Sequence, residues 1–453
     1  MSIQSATVSA TSSYFDYVNP QWVTLLSLLD MNVRYERCLG TELYTEDGRR
    51  ILDFLSGYCV HNTGHNHPHI VNALKGELDR CGPAMLQSHV PELAGQLAKR
   101  LCDLAGGGLR KVFFSSSGSE GVEAAIKFAR MTTGRAYLLC ARSAFHGLTA
   151  GALSLMSDAF WRDGFGPLLE GVSSVPFGDL AALEKELKSK RFAAFIVEPI
   201  QAEGGIRIPP PGYLQAAETL CRRTGALFIL DEVQTGMFRT GPFLAGHHYK
   251  VKPDIVVLAK ALSGGLVPVG ATLMTEAVYE GVYSSLRRAI VHTSTFSENS
   301  LSMRAGLATL DVLESQSLGE CATELGAELR HRLQEELSQF EMVKQVRGLG
   351  MLSGIEFRSP SKLALRVAFE MFMKIHPAMF GQILVMSMFR DKGILTQICG
   401  NNFMVLKVAP PLVVSRSELN EFVLAIREVV ELMHSSPSFW TEAVGLAKRA
   451  VNI

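Results

Sequence analysis

Between about residue 85 and residue 300, short apolar runs alternate with stretches whose apolar positions recur every three or four residues. The runs KVFFSS, AYLLC, FAAFIVEP, ALFILDE, DIVVLAK and VGATLM are short and mostly apolar, and they are expected to be strands. GVEAAIKFARMTTG, DLAALEKELKSK and GYLQAAETLCRRTG carry the helical spacing and are expected to be helices. Strands that alternate with helices require crossover connections, which predicts an α/β fold around a mostly parallel sheet. AFIVEPI and LFILDEV are apolar until an acid appears at the end. That pattern fits a strand covered on both faces, with chemistry at its carboxyl edge.

The flanking regions read differently. Residues 1–70 are expected to form an N-terminal arm with a short hairpin, because ELYTEDGRRILDFL places Asp47-Gly48 between two apolar stretches. Residues from about 301 to 335 carry one long amphipathic pattern, which predicts a single helix. The tail mixes strand-like runs (VRGLGMLSGIEF, FMVLKVAPPLVV) with a last helix (SELNEFVLAIREVVELMH), the makings of a second, smaller α/β domain. The segment 363–389, LALRVAFEMFMKIHPAMFGQILVMSMF, is rich in Met and Phe. It suits a helix packed into the core or a subunit interface, and it also suits the entrance to a site for a greasy substrate.

Composition narrows the function classes. A chain of 453 residues has room for two or three domains, or one large unit with a smaller one attached. With 47% hydrophobic and 19% charged residues, a large core is expected and disorder is not. Lys+Arg and Asp+Glu are equal at 44 each, so nothing electrostatic points to nucleic acid or an anionic membrane. The eight cysteines include no Cys-x-x-Cys pair, so neither a metal site nor a disulfide framework is expected, and a reducing cytoplasm is the expected location. MSIQSATVSATSSYFDY lacks the basic start and apolar run of a secretory signal. No run of about 18 uncharged apolar residues predicts a transmembrane helix.

Three features carry candidate chemistry. Lys260 ends the apolar run DIVVLAK and precedes a Gly-rich turn. Desolvation lowers an amine's pKa, and a neutral amine can attack an aldehyde to give an imine; a surface lysine at a strand end would look similar. Asp231 sits at the end of another buried strand, where a carboxylate needs a cationic partner; a structural ion pair or a helix cap would also satisfy it. In FFSSSGSEGVEAAIKFAR a strand runs into Ser117-Gly118-Ser119 and then a helix begins. The free N–H groups of such a helix start suit a phosphate, although an ordinary N-cap has the same look.

FFSSSGSEGVEAAIKFAR, AFHG, GFGPL, FIVEPIQAEGG, LFILDEVQTGMFRTG, PDIVVLAKALSGGLVPVGA, HTSTF and VRGLGMLSGIEF follow one another in this order. Together they resemble the class III, ornithine/acetylornithine-type aminotransferases, and the resemblance runs from about residue 40 to about residue 430. It implies a pyridoxal 5'-phosphate (PLP) enzyme of fold type I. A large domain is built around a mostly parallel sheet, and a smaller α/β domain is drawn from both termini. The implied division is an N-terminal arm and part of the small domain over 1–70, the PLP-binding domain over 71–320, and the C-terminal small domain over 321–453. The resemblance also implies roles. Lys260 is the Schiff-base lysine and proton shuttle, and Asp231 pairs with the pyridine nitrogen. Val233 packs under the ring, Phe145 stacks on its other face, and His146 belongs to the same cofactor shell. Gln234 reaches the ring hydroxyl and Glu198 supports that network. Ser117, Gly118 and Ser119 hold the phosphate, and Thr295 reaches the phosphate of the neighbouring subunit in a homodimer.

The substrate side departs from the family. Where ornithine-type enzymes carry Phe-(His/Trp)-Gly-Arg, this chain has Leu148 in place of the arginine that clamps a substrate carboxylate. LKVAPPL places Lys407 where the family has an arginine for the α-carboxylate of glutamate. Lysine is a point charge and lacks the arginine fork. Glu203, the family's partner for that arginine, is present, as is Tyr58 at a substrate-binding position. HTSTFSEN has Ser297-Glu298 where the family often has two glycines. These departures predict an aminotransferase that acts between an amino donor and an aldehyde or keto acceptor, with a substrate other than ornithine or acetylornithine and open to an apolar one; the alternative is that Lys407 still binds the donor's α-carboxylate and another residue replaces the missing arginine. A reading from the same cofactor is an aminomutase, epimerase, decarboxylase or phospho-lyase. A reading from another class is a binding protein on a decayed fold, which the intact Lys260, Asp231 and Gln234 disfavour.

Overall fold

The computed structural model describes residues 12–86, 88–375 and 379–451. Most of the N-terminal stretch read for a secretory signal, and residues 376–378 of the Met/Phe-rich segment, lie outside the described residues.

The six apolar runs are strands of one sheet: β1 (Leu109–Ser115), β2 (Tyr137–Ala141), β4 (Phe192–Val197), β5 (Leu227–Asp231), β6 (Ile255–Leu258) and β7 (Gly270–Thr275). A seventh, β3 (Val172–Val175), closes one edge of the sheet. Its sequence VSSV is short and half polar, so periodicity did not reveal it. The spatial order is β1-β7-β6-β5-β4-β2-β3. Only β7 runs antiparallel to its neighbours, and the other pairs are parallel. Strands β4 and β6 are buried at every position, as expected for a sheet covered on both faces. The covering helices include Gly118–Thr133, Leu180–Leu187 and Tyr213–Thr224, where the helical spacing placed them.

Two further sheets flank this one. The hairpin Glu42–Thr45/Arg50–Asp53 turns at Gly48, whose φ of 83° suits glycine, and the last strand pairs in parallel with Ile394–Leu395. Both ends of the chain therefore build one sheet. The other sheet contains Val343–Leu349, Leu352–Phe357, Asn402–Val408 and Gln397–Cys399.

One expectation fails. The single helix expected over 301–335 is two helices, Ser300–Ser315 and Leu318–Leu337. Ser317 takes a left-handed φ of 49° and turns the chain between them. Apolar periodicity resumes after the corner, so the pattern alone conceals it. The Met/Phe-rich segment forms Leu363–Ile375 and Met379–Lys392, and the second of these is buried from Met379 to Phe389 apart from Gln382. In the first helix Phe369 and Phe372 pack in the core while Leu363, Val367 and Met371 are exposed, and no described residue of the segment lines the cavity described below. No helix among the described residues is long and apolar enough to cross a membrane.

Candidate active site

Strand register brings the site together. Val197 lies opposite Leu230 in the β4–β5 pair, and Asp231 lies opposite Val257 in the β5–β6 pair. Glu198, Asp231 and the segment leading to Lys260 therefore leave the same carboxyl edge side by side. A cavity of about 470 Å³ opens there. Ser117, Gly118, Ser119, Phe145, His146, Glu198, Asp231, Val233, Gln234 and Lys260 all line it.

Lys260 sits at φ 48°, in the left-handed region that costs a side-chain-bearing residue about 1–3 kcal/mol. The turn that follows contains Gly264 and Gly265 at φ 62° and 84°. This backbone swings the amine into the cavity. Among the described residues Lys260 has no ion pair, and burial pushes its pKa down, opposed by the charge of Asp231.

Asp231 is held on both oxygens. Oδ1 accepts the Val233 N–H at 3.1 Å, and Oδ2 lies 2.7 Å from His146 Nδ1. Burial alone would lower the His146 pKa, but the hydrogen bond and charge of Asp231 raise it. The other ring nitrogen, Nε2, is buried with no hydrogen-bond partner among the described residues. Glu198 sits behind this pair. Its Oε1 accepts the Phe145 N–H at 2.9 Å and its Oε2 accepts the Ala202 N–H at 3.1 Å. The carboxylate thus fixes the Phe145 backbone. Burial pushes Glu198 from its usual 4.5 to about 7, and burial does the same to neighbouring Glu232.

These raised values predict a pH dependence. Above pH 4.5 the unfolded chain loses the Glu198 proton, whereas the folded chain keeps it to about 7. Glu198 therefore weakens the fold progressively as pH rises through that window. Glu198→Gln is expected to flatten the stability–pH slope between pH 5 and 6.5 by up to about 1.4 kcal/mol per pH unit. Urea unfolding at several pH values measures it, and an unchanged slope contradicts it.

The helix Gly118–Thr133 points its N-terminus at the cavity. Ser117 caps it by accepting the Glu120 N–H at 3.2 Å, and the first N–H groups have no intrahelical acceptor. A Cβ at Gly118 would approach the Val233 methyls to 3.0 Å, so a larger residue there would have to push Val233 aside. Gly147 combines φ 123° with a close approach to Ser119, which brings the Phe145–Gly147 loop onto this helix start.

The four substrate-side residues lie outside that lining. Lys407 is fully buried and ion-paired with Glu203, and its Nζ is 5.0 Å from the Tyr58 ring centroid. Glu203 also accepts the Gly400 N–H at 2.7 Å and Gln234 Nε2 at 3.1 Å. Burial would raise the Glu203 pKa, but the Lys407 ammonium outweighs it and holds the carboxyl below its ordinary range. Burial would lower Lys407, and Glu203 raises it well above the ordinary lysine value. Tyr58 is presented by a left-handed turn in which Ser56, Gly57, Tyr58 and Cys59 all have φ between 47° and 67°. Leu148 is 54% exposed, and Thr295 is exposed and does not face its own chain's cavity.

Removing one member of the buried pair leaves an uncompensated charge. Glu203→Leu is expected to cost about 3–5 kcal/mol of stability. Glu203→Leu/Lys407→Met should recover most of it, as read from urea midpoints; equal losses in both variants would contradict this.

Sequence reasoning missed Trp161 and Asn401. Trp161 packs edge-on against Phe145 at 5.3 Å and donates its Nε1–H to Asn401 Oδ1 at 2.7 Å. Trp161 lies in the one-turn helix Ala159–Arg162 and Asn401 in a turn, neither with motif spacing, and only the lone Trp beside GFGPL offered a signal.

The family of class-III aminotransferases matches residues 28–430. The chain belongs to this family. Its cofactor is pyridoxal 5'-phosphate. This class-III chain is 36% identical to a putrescine aminotransferase of Pectobacterium atrosepticum, over 94% of its own length and 89% of that protein's. It is 35% identical to the aminotransferase PigE of a Serratia species, over 92% of its own length, and it spans 53% of PigE. Among solved structures it is similar to the ornithine aminotransferase of Toxoplasma gondii, with a TM-score of 0.80 at 30% identity, covering 89% of this chain and 90% of that one. That structure is described with partial occupancy of PLP at its active site. It is also similar to an (S)-enantioselective omega-transaminase of Thermomicrobium roseum, with a TM-score of 0.79 at 29% identity, covering 88% and 93%.

Proposed function

We propose that this chain transfers the amino group of an amine that lacks the carboxylate clamped in ornithine-type enzymes to an aldehyde or keto acceptor. The cavity residues fit the cofactor. An amine with no ion pair among the described residues, a carboxylate held on both oxygens, and the helix start at Gly118 converge on one space. Ser117, Gly118 and Ser119 would hold the phosphate, Val233 and Phe145 the two ring faces, and Gln234 the ring hydroxyl. When bound, the cofactor supplies a carbonyl carbon that captures amines and a ring that accepts electrons. Lys260 takes the proton from the amine-bearing carbon of the substrate and returns it on the acceptor side. Asp231 keeps a proton on the ring nitrogen, with His146 steadying its outer oxygen. We further propose a homodimer in a reducing cytoplasm, with Thr295 serving the phosphate of a second copy. Its exposure away from its own cavity and eight cysteines in no disulfide support that reading.

The observation that carries the substrate class is the state of the two clamps. Leu148 offers no charge, and Lys407 is already neutralised by Glu203. A carboxylate placed beside Leu148 or beside the Glu203–Lys407 pair would therefore meet no free cation, and the preference for it that an arginine fork provides is lost. The 36% identity to a putrescine aminotransferase agrees with a substrate of that class. The test compares kcat/KM for ornithine, acetylornithine and a panel of terminal amines on the holoenzyme. Terminal amines are expected to exceed both amino acids by about tenfold or more. Leu148→Arg should shift the preference back toward the carboxylated substrates. A wild-type preference for ornithine or acetylornithine, or no shift in the variant, contradicts the proposal.

A further inference from the structure

An aromatic row leads from the cavity to the surface. Phe145 lines the cavity and meets Trp161 edge-on, with centroids 5.3 Å apart at 81°. Trp161 in turn meets Phe160 at 4.9 Å and 84°. Phe160 is 70% exposed. On its other side the indole reaches the turn that holds Glu203. A Cβ on Gly400 would lie 3.3 Å from Trp161 Cζ2 and 3.1 Å from Glu203 Oε2. Trp161 therefore spans the gap between the Phe145 loop and the Glu203–Lys407 pair.

The polar atom of this indole is used up within the protein. Its Nε1–H goes to Asn401 Oδ1 at 2.7 Å. Asn401 is fixed in turn: its Nδ2 donates to the Ser143 and Ala144 carbonyls at 3.1 and 3.3 Å, and its backbone N–H donates to the Glu203 carbonyl at 2.9 Å. What Trp161 presents beyond these bonds is apolar ring. Isolated exposed aromatics are ordinary, but a continuous row of three that starts in the cavity is an apolar path.

We infer that Trp161 is a specificity-determining residue: its ring forms the wall for an apolar group beyond the reacting carbon of the substrate, and Asn401 is its positioning residue. This rests on the amine-transfer reading above and deepens it. The substrate becomes an amine or aldehyde carrying an alkyl or similarly greasy tail. The Met/Phe-rich helix Met379–Lys392, buried in the core, is not that wall, and neither of the segment's helices lines the cavity.

The test uses holoenzyme and two homologous series. Straight-chain 1-aminoalkanes from butyl to octyl are mixed with the enzyme without acceptor, and the spectral change of the cofactor gives a capture rate constant for each. The matching 1-alkanols, which cannot react, are titrated calorimetrically. In the wild type both series are expected to rise by about threefold to fourfold per methylene over several carbons. Trp161→Ser should flatten both series while cofactor content and melting temperature stay near wild type. Trp161→Phe should keep the slope. Asn401→Ala should weaken the slope with little effect on butylamine. If Trp161→Ser fails to hold cofactor, the wild-type series and Asn401→Ala decide. A flat wild-type series with butylamine still reacting overturns the tail proposal and leaves amine transfer standing. Ornithine outpacing every amine overturns the amine-transfer reading itself. An unchanged slope in folded Trp161→Ser overturns the role of Trp161.

Discussion

Lys260→Ala is expected to reduce amino transfer by at least about a millionfold while leaving the melting temperature within a few degrees of wild type. The proposed chemistry asks two things of this one amine: to hold the cofactor carbonyl and to move the proton at the substrate carbon. The site holds strain for this placement, since Lys260 sits at φ 48° and has no ion pair among the described residues. Removing the side chain leaves that turn with a smaller residue and no buried charge, so the fold should tolerate it. Borohydride reduction followed by peptide mapping checks the assignment. Labelling of Lys260 in the wild type and of nothing in the variant is expected. Labelling of a different lysine would refute it.

Asp231→Asn is expected to keep part of the cofactor and to slow the proton-transfer step by more than about a hundredfold, roughly 3 kcal/mol of barrier. The amide keeps the size of the carboxylate and can still accept the Val233 N–H, seen here at 3.1 Å. It loses the charge that favours a protonated ring nitrogen, and it replaces the carboxylate oxygen that lies 2.7 Å from His146 Nδ1 with a neutral amide. Single-turnover kinetics with a reactive amine measures the step directly. A rate within about threefold of wild type, less than 1 kcal/mol of barrier, would remove Asp231 from the mechanism.

What the sequence made legible follows from how directly each feature is written in local pattern. The strands β2, β4, β5 and β6 are apolar runs with little ambiguity, and an acid or a lysine at the end of a run marks its carboxyl edge. Glu198, Asp231 and Lys260 could thus be placed near one another before their register was known. The helix start at Ser117–Ser119 followed from a strand, a turn and amphipathic spacing in immediate succession. The corner at Ser317 was hidden, because apolar periodicity continues on both sides of a single left-handed residue. The Met/Phe-rich segment was open to two readings, because a core helix and a greasy entrance use the same residues. Burial of Met379–Phe389 supports the first for the second helix, while the first helix leaves Leu363, Val367 and Met371 exposed. Trp161 and Asn401 were out of reach, since their hydrogen bond joins positions 240 residues apart. Glu198 was expected near the ring hydroxyl, and its bonds go to the Phe145 and Ala202 backbones, a detail only loop geometry could fix.

The donor half-reaction tests the central claim most directly. Holoenzyme is mixed with a terminal diamine such as putrescine in the absence of any acceptor. The expected result is conversion of the bound cofactor to its amine form, with release of one aldehyde per site and no carbon dioxide. An unchanged cofactor spectrum with putrescine and with every other terminal amine, or a product formed while the cofactor stays in its aldehyde form, would contradict amine transfer and point to a different reaction on the same fold.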